Sequence, residues 1–424
     1  MTKIFAAIFF VLLGMGLPIW LVLGVSAGTM FAVEGKPLVG IAQKMLDELN
    51  STTLLAVPFF VMAASFMQRG GIAKALVDVA AAWVGNVRGG LGVVCVMACA
   101  MFAAICGSSV ATALAMGTIL IPAMLDRNYD RPFALGVTAA SGTLGILIPP
   151  SLPLILYAII ADESVPRLFL AGVVPGLMQA GLFVLYVLWY GRRKNLAREP
   201  RRSPAEFRRV NINAIPALSM PVIIAVGIYG GWVTTTETAA VAAAVALLIS
   251  LFYYKGFKPS ETLTVIGESI KNAGTIMIII ATALAFGHWI TESGIPAALV
   301  QFIRDNGFTA WQFLLAINVM LIILGMFLEV ASILLIAMPI IIPVLKPLGI
   351  DPVHFAIVVT VNMELALITA PVGLNLYVLA TVSKTPIATV IKGVNPFLVI
   401  LLGLLLLITY VPAISLWLPR LVYG

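Results

Sequence analysis

The sequence predicts an all-α polytopic membrane protein, built as an inverted-topology repeat with two re-entrant helical hairpins and two unwound helices. Three observations carry this. Apolar residues make up 61% of the chain against 10% charged, outside the range of soluble domains. Residues 89–125, 132–161, 168–191, 210–236, 306–328, 365–383 and 393–419 carry no charged side chain, and most of these stretches exceed the roughly 20 apolar residues that cross a bilayer. Prolines then recur in register between the two halves of the chain.

Ile121-Pro122 in "GTILIPAM" matches Ile342-Pro343 in "PIIIPV" at a separation of 221. Pro150 pairs with Pro371 and Pro175 with Pro396 at the same separation, and Pro132 with Pro352 and Pro166 with Pro386 at 220. Upstream, "RGGIAKALV" (69–77) matches "ESGIPAALV" (292–300). Turns between helices recur at similar spacings by chance, but here the residues around the prolines match as well. The chain divides into a first repeat (1–190), a basic loop (191–212) and a second repeat (213–424).

The elements follow in order. The opening segment, "MTKIFAAIFFVLLGMGLPIWLVLGVSA", is too long for a signal-peptide core and ends in a weak cleavage site, so it is expected to be a retained first membrane helix. Each half then has an amphipathic stretch (36–50; 258–274), a spanning segment and a short helix after a Gly-Ile pair. The apolar segments 91–125 and 311–346 follow, interrupted at "CGSSVAT" (106–112) and "LEVAS" (328–332). Each arm holds about 15 residues, roughly 22 Å of helix, short of the ~30 Å hydrocarbon core. Two such arms with a polar tip predict a re-entrant hairpin. Broken helices over 133–160 and 353–380 come next, interrupted at "SGTLGILIPPSLP" (141–153) and "TAPVGLN" (369–375), and a final helix closes each half.

The net charge of +7 does not point to nucleic acid, because eight of the 25 Lys and Arg lie in the loop 191–212. Basic loops are retained in the cytoplasm, and contact with anionic membrane lipid is a secondary role for such a loop. Placing it inside puts the N-terminus in the cytoplasm, the C-terminus in the periplasm and 19 of the 25 basic residues inside. The two hairpins then enter from opposite sides. Cys95, Cys99 and Cys106 share one apolar span with no His or carboxylate near in sequence, which favours buried packing over a metal site. His288 and His354 are expected to be structural.

Irregular backbone inside a bilayer survives only where protein or water surrounds it, and broken helices there expose helix ends that attract ions. A hard cation takes several carbonyl and hydroxyl oxygens. Ser108, Ser109 and Thr112 beside Ser141, Gly142, Thr143 and Gly145 could supply one set; Ser332, Thr369, Gly373 and Asn375 could supply a second. Small-residue packing of helices is the competing explanation for any one of these serines. Substrate contacts are expected from Ser108, Ser141, Pro149, Pro150, Ser151 and Asn375. Carboxylates inside apolar spans are functional candidates by default: Glu329 at the second tip, Glu364 before the second break, and Glu237. Glu329 could orient its tip, neutralise a cation or carry a proton. A stand-alone proton-coupled carboxylate carrier using Glu329 or Glu364 is the rival reading, and a channel is a weaker one. The sequence has no HExxH, P-loop or nucleophile elbow, so nothing points to an enzyme.

The segments "FAAICGSSVATALAMGTILIPAM", "SGTLGILIPPSLPLILYA", "GIYGGWVTTTETAAVAA", "GMFLEVASILLIAMPIIIPV" and "NMELALITAPVGLNLYVLATVSKTP" closely resemble the large, DctM-like membrane subunit of tripartite ATP-independent periplasmic (TRAP) transporters, over nearly the whole chain. The resemblance implies an elevator-type, Na⁺-coupled importer of organic anions such as C4-dicarboxylates or sialic acid in the bacterial inner membrane. It also implies two partners, a small four-helix membrane subunit (Q type) and a periplasmic substrate-binding protein (P type). The small subunit is expected as a separate chain, since residue 1 opens directly on the first helix. The family's Na⁺ sites, at hairpin tips and adjoining unwound helices, map onto 107–109 with 142–145 and onto 329–332 with 369–375. Glu329 thereby joins Ser332, Thr369, Gly373 and Asn375 in the second site. Cys106 stands where a small residue such as serine is expected.

Overall fold

The computed structural model describes residues 2–198 and 202–424; the centre of the basic loop, 199–201, lies outside them. Every regular element among the described residues is helical. The first half comprises α1 (Thr2–Gly14), α2 (Ile19–Val33), α3 (Leu38–Leu49), α4 (Ala56–Arg69), α5 (Ile72–Val84), α6 (Gly90–Cys106), α7 (Ser109–Asp126), α8 (Arg131–Thr143), α9 (Leu152–Ala161) and α10 (Val165–Arg193). The second comprises α11 (Pro204–Tyr229), α12 (Thr235–Leu248), α13 (Thr262–Glu292), α14 (Ile295–Asp305), α15 (Ala310–Gly325), α16 (Val330–Leu345), α17 (Pro352–Leu367), α18 (Leu374–Val382), α19 (Ile387–Tyr410) and α20 (Ala413–Tyr423). Seven helices among the described residues are long and apolar enough to cross a membrane.

Two boundaries differ from the sequence expectation. The opening segment is two helices: Gly16 adopts a positive φ of 73°, and Pro18, lacking an N–H, starts α2 afresh. The amphipathic stretch of the first half, α3, is separated from α4 by a turn over 50–55, where the Leu54 N–H donates to the Ser51 carbonyl and the Ala56 N–H to the Thr53 carbonyl. Its counterpart in the second half continues without interruption into the 31-residue α13.

The helices fall into two packed groups. In one, α4 packs on α12, and α13 on α2, α3 and α4. Lys36 joins them at one end, bonding Glu34 after α2 at 2.8 Å and Glu292 at the end of α13 at 2.7 Å. In the other, α8 packs on α19, α6 and α7, and α17 on α15 and α19. The α8–α19 crossing is close because Gly136 and Gly393 meet backbone to backbone; a Cβ on Gly136 would lie 2.0 Å from the Gly393 carbonyl oxygen. Glycine at such a crossing lets helix axes approach where any side chain would hold them apart.

The two halves also clasp each other. The second arm of the first hairpin, α7, packs on α18 of the second half, and its counterpart α16 packs on α9 of the first.

Candidate ion and substrate site at the hairpin tips

The first hairpin turns between Cys106 and Ser109. Gly107 takes a positive φ of 65°, which glycine accepts without steric cost. Ser108 then caps α7: its Oγ accepts from the Ala111 N–H at 3.4 Å, and Thr112 Oγ1 donates to the Ser108 carbonyl at 2.8 Å. The unwound segment after α8 lies against this tip. A Cβ on Gly145 would stand 2.6 Å from the Ser108 carbonyl oxygen and 2.8 Å from Thr112 Oγ1. Gly142 sits equally close to the first turn of α7, its Cβ position 2.8 Å from that of Ala113. The missing side chains bring the backbone of 142–145 directly against the Ser108 carbonyl and the Thr112 hydroxyl, a cradle of converging oxygens. That donor set, neutral oxygens only, fits a small hard cation.

The second hairpin repeats the plan with a different charge. Glu329 stands at the N-cap position of α16, its side chain making no bond to the helix, where Ser108 stands on α7, 221 residues earlier. A Cβ on Gly373 would lie 2.8 Å from the Thr369 carbonyl oxygen. A cavity of about 200 Å³ holds Glu329 together with Gly325, Val372 and Gly373. The carboxylate, the Thr369 carbonyl and the backbone around Gly373 are the oxygens this tip offers a cation.

Matching bonds join tip to break within each half. Leu152 N–H donates to the Gly107 carbonyl at 3.3 Å and Val372 N–H to the Met326 carbonyl at 3.2 Å. Each break also carries a cis proline, Pro150 and Pro371. The duplication visible in the proline spacing is therefore present in the backbone contacts of the two tips.

The tips converge on a second cavity of about 170 Å³, lined by Ser108, Ser109 and Glu329 and closed on the other side by Val57 of α4 and Ile276 of α13. It therefore lies between the two helix groups. Its lining contains no Lys, Arg or His, so an anion there would meet the N-termini of α7 and α16 and the serine hydroxyls.

Several residues expected at these sites are placed elsewhere. Asn375, expected at the second tip, donates to Ser109 Oγ of the first hairpin at 2.8 Å and to the Ala139 carbonyl at 3.2 Å. It ties the halves together, because α18 packs across the pair on α7. Thr143 has its hydroxyl engaged, donating to the Ala140 carbonyl at 2.8 Å and accepting from Gln179 Nε2 at 2.9 Å, so only its backbone is free to face the first cradle. Ser151 caps α9 and donates to the Ile146 carbonyl. Ser141 is fully buried off the cavity, and Pro149 and Pro150 do not line it; the Pro150 carbonyl instead abuts Gly107. Ser332 is buried in the first turn of α16 and lines neither cavity. Glu237 is exposed at the start of α12 and closes a capping box there, accepting from Thr234 N–H at 2.7 Å.

Glu364 lines neither cavity and is wholly buried in α17, neither oxygen hydrogen-bonded. The side chain beside it is Gln179 of α10, which also bonds Thr143, the residue 221 positions before Glu364. Sequence reasoning missed Gln179 because nothing in 168–191 marks it except its being the polar amide of an uncharged span. It missed Val57 and Ile276 because apolar cavity walls look like any other spanning helix. The three cysteines are buried, and His354 is buried between Ser415 Oγ at 2.8 Å and the Thr409 carbonyl at 3.3 Å.

A family model described as "Tripartite ATP-independent periplasmic transporter, DctM component" matches residues 6–414. The C4-dicarboxylate TRAP transporter large permease protein DctM of Pseudomonas aeruginosa is 43% identical over 380 residues, covering 90% of this chain and 89% of that protein. Its namesake from Rhodobacter capsulatus is 40% identical over 424 residues, covering 96% of each. Among solved structures, the YdaH transporter of Alcanivorax borkumensis superposes with a TM-score of 0.65 at 14% identity, covering 89% of this chain and 88% of that one, a likeness of fold alone. The chain belongs to the DctM component family of tripartite ATP-independent periplasmic transporters, and is thus an integral membrane permease.

Proposed function

We propose that this permease carries out Na⁺-coupled secondary import of an organic anion of the C4-dicarboxylate or sialic-acid class, delivered by a periplasmic binding protein and assisted by a small membrane subunit. The single observation that supports this best is the cavity where both hairpin tips meet the helix group containing α4 and α13. On this reading Na⁺ seats first. The Ser108 carbonyl and hydroxyl, Thr112 Oγ1 and the 142–145 backbone would hold one ion; Glu329, the Thr369 carbonyl and the Gly373 backbone would hold another. Bound Na⁺ supplies positive charge beside the cavity and offsets Glu329, which otherwise repels a carboxylate. The substrate anion then takes the N–H groups and hydroxyls at the starts of α7 and α16. Alternating access follows if the hairpin group slides as a body against α4 and α13, an elevator motion.

The test is uptake in proteoliposomes containing the permease and small subunit, with the cognate binding protein outside. Uptake should require an inward Na⁺ gradient and the binding protein. Uptake driven by a pH gradient without either would establish the stand-alone proton-coupled carrier instead.

A further inference from the structure

A second built site lies far from the hairpin tips, on the face that carries the basic loop. A cavity of about 800 Å³ opens there between the end of α5, the turn before α6, the end of α10 and the start of α11. Four arginines from three segments line it: Arg88 in the turn before α6, Arg192 on α10, and Arg198 and Arg202 in the basic loop. Among the described residues no carboxylate lines it, and none of the four arginines has an ion pair with a described residue. Asp78 and Glu206 line the neighbouring pocket that shares Arg202, so the excess positive charge centres on Arg88, Arg192 and Arg198.

Guanidinium groups converging from separate segments are suited to a phosphate, whose oxygens accept several planar donors at once. The rim says what carries the phosphate. Trp83 and Phe207 both line the cavity and are 46% and 43% exposed, and Val87 is exposed between them. Trp189, one turn before Arg192 on α10, is also exposed, with Arg193 over its ring at 5.3 Å. Aromatic rings beside basic side chains mark the level of the lipid headgroups, and a basic pocket between helices at that level binds an anionic headgroup. A soluble phosphate compound has no use for the apolar rim.

We propose that this cavity is a binding site for an anionic phospholipid, with the phosphodiester held by Arg88, Arg192 and Arg198 and the acyl chains running past Trp83, Val87 and Phe207. The lipid would bridge α5, α10 and α11, and so brace the junction between the two repeats.

Native mass spectrometry of the purified permease, titrated with cardiolipin, phosphatidylglycerol or phosphatidylcholine, tests this. Cardiolipin and phosphatidylglycerol should be retained and phosphatidylcholine should not. The triple variant Arg88→Gln/Arg192→Gln/Arg198→Gln should retain the anionic lipids about a hundredfold less, at roughly fivefold per basic side chain near an anionic surface, while Arg420→Gln at the far C-terminus should change nothing. Equal retention of all three lipids by the native chain would overturn the proposal, as would unaltered cardiolipin retention by the triple variant. Thermal stabilisation of the native protein in detergent supplies a reading independent of whether the variant folds. Stabilisation by cardiolipin that inorganic phosphate does not reproduce supports a lipid, and equal stabilisation by phosphate alone rejects one.

Discussion

At residue scale, the first cradle depends on what is missing from Gly145. A methyl group there would meet the Ser108 carbonyl oxygen at 2.6 Å, and backbone cannot move aside as a flexible side chain can. Gly145→Ala should therefore cost roughly 1–3 kcal/mol of local strain and weaken Na⁺ affinity by about 5- to 150-fold. Gly181→Ala, where nothing lies within 4 Å, should be neutral. Sodium-dependent uptake over a range of Na⁺ concentrations compares the two, and similar curves would remove Gly145 from the site. Ser108→Ala removes both a cap, worth about 1 kcal/mol, and a hydroxyl facing the cavity, so Na⁺ dependence should fall by more than expression does. Glu329→Gln keeps the shape and removes the charge. The expected result is a chain expressed at normal level with reduced Na⁺ affinity, and an unchanged affinity would show that the carboxylate takes no part in the second site.

At the scale of elements, what holds the tips in register is the exchange of arms between halves, α7 with α18 and α16 with α9. The Asn375–Ser109 bond is its polar fastening, buried on both sides. Removing one partner leaves the other unsatisfied, at a cost of about 1–3 kcal/mol. A double-mutant cycle of Asn375→Ala and Ser109→Ala, read by thermal unfolding, should show a coupling of at least about 0.5 kcal/mol; additive losses would mean that the bond contributes nothing. The same elements show how far sequence reasoning reached. The interruptions at 106–112, 141–153, 328–332 and 369–375 all fall where helices end, because glycine, proline and small polar residues in an apolar run leave little choice of local structure. Which side chains face the site was less legible. Thr143, Ser151 and Asn375 carry the right chemistry, but the two hydroxyls are taken by Gln179 and by the α9 backbone, and the Asn375 amide nitrogen by the opposite hairpin, its Oδ1 alone being left without a partner. Those partners lie 36 and 266 residues away for Thr143 and Asn375, distances at which sequence proximity says nothing.

For the whole molecule, the cavity between the hairpin tips and the α4/α13 group gives the transport cycle a mechanical test. Ile276 of α13 and Val330 at the tip of the second hairpin line the same cavity. Cysteines placed at both positions, where the three native cysteines are buried, should be bridged by mercuric ion. If the hairpin group slides during transport, bridging should abolish uptake and a thiol reductant should restore it. Uptake that survives complete bridging would exclude an elevator motion across this boundary.

The sequence by itself determined that the chain is helical, that it belongs in a membrane, that it is a duplication, and where its helices break. These follow from local composition and spacing: apolar length, proline register, and the few backbone conformations that Gly-Pro-Ser stretches permit. Only the tertiary structure decided how the halves engage. Each tip bonds the break of its own half through backbone, yet packs its second arm on the other half, and Glu364 and Thr143, matched in the repeat, meet at one glutamine that has no match. Packing of this kind is set by which surfaces interlock at close range, and a one-dimensional repeat gives equal support to contacts within a half and between halves.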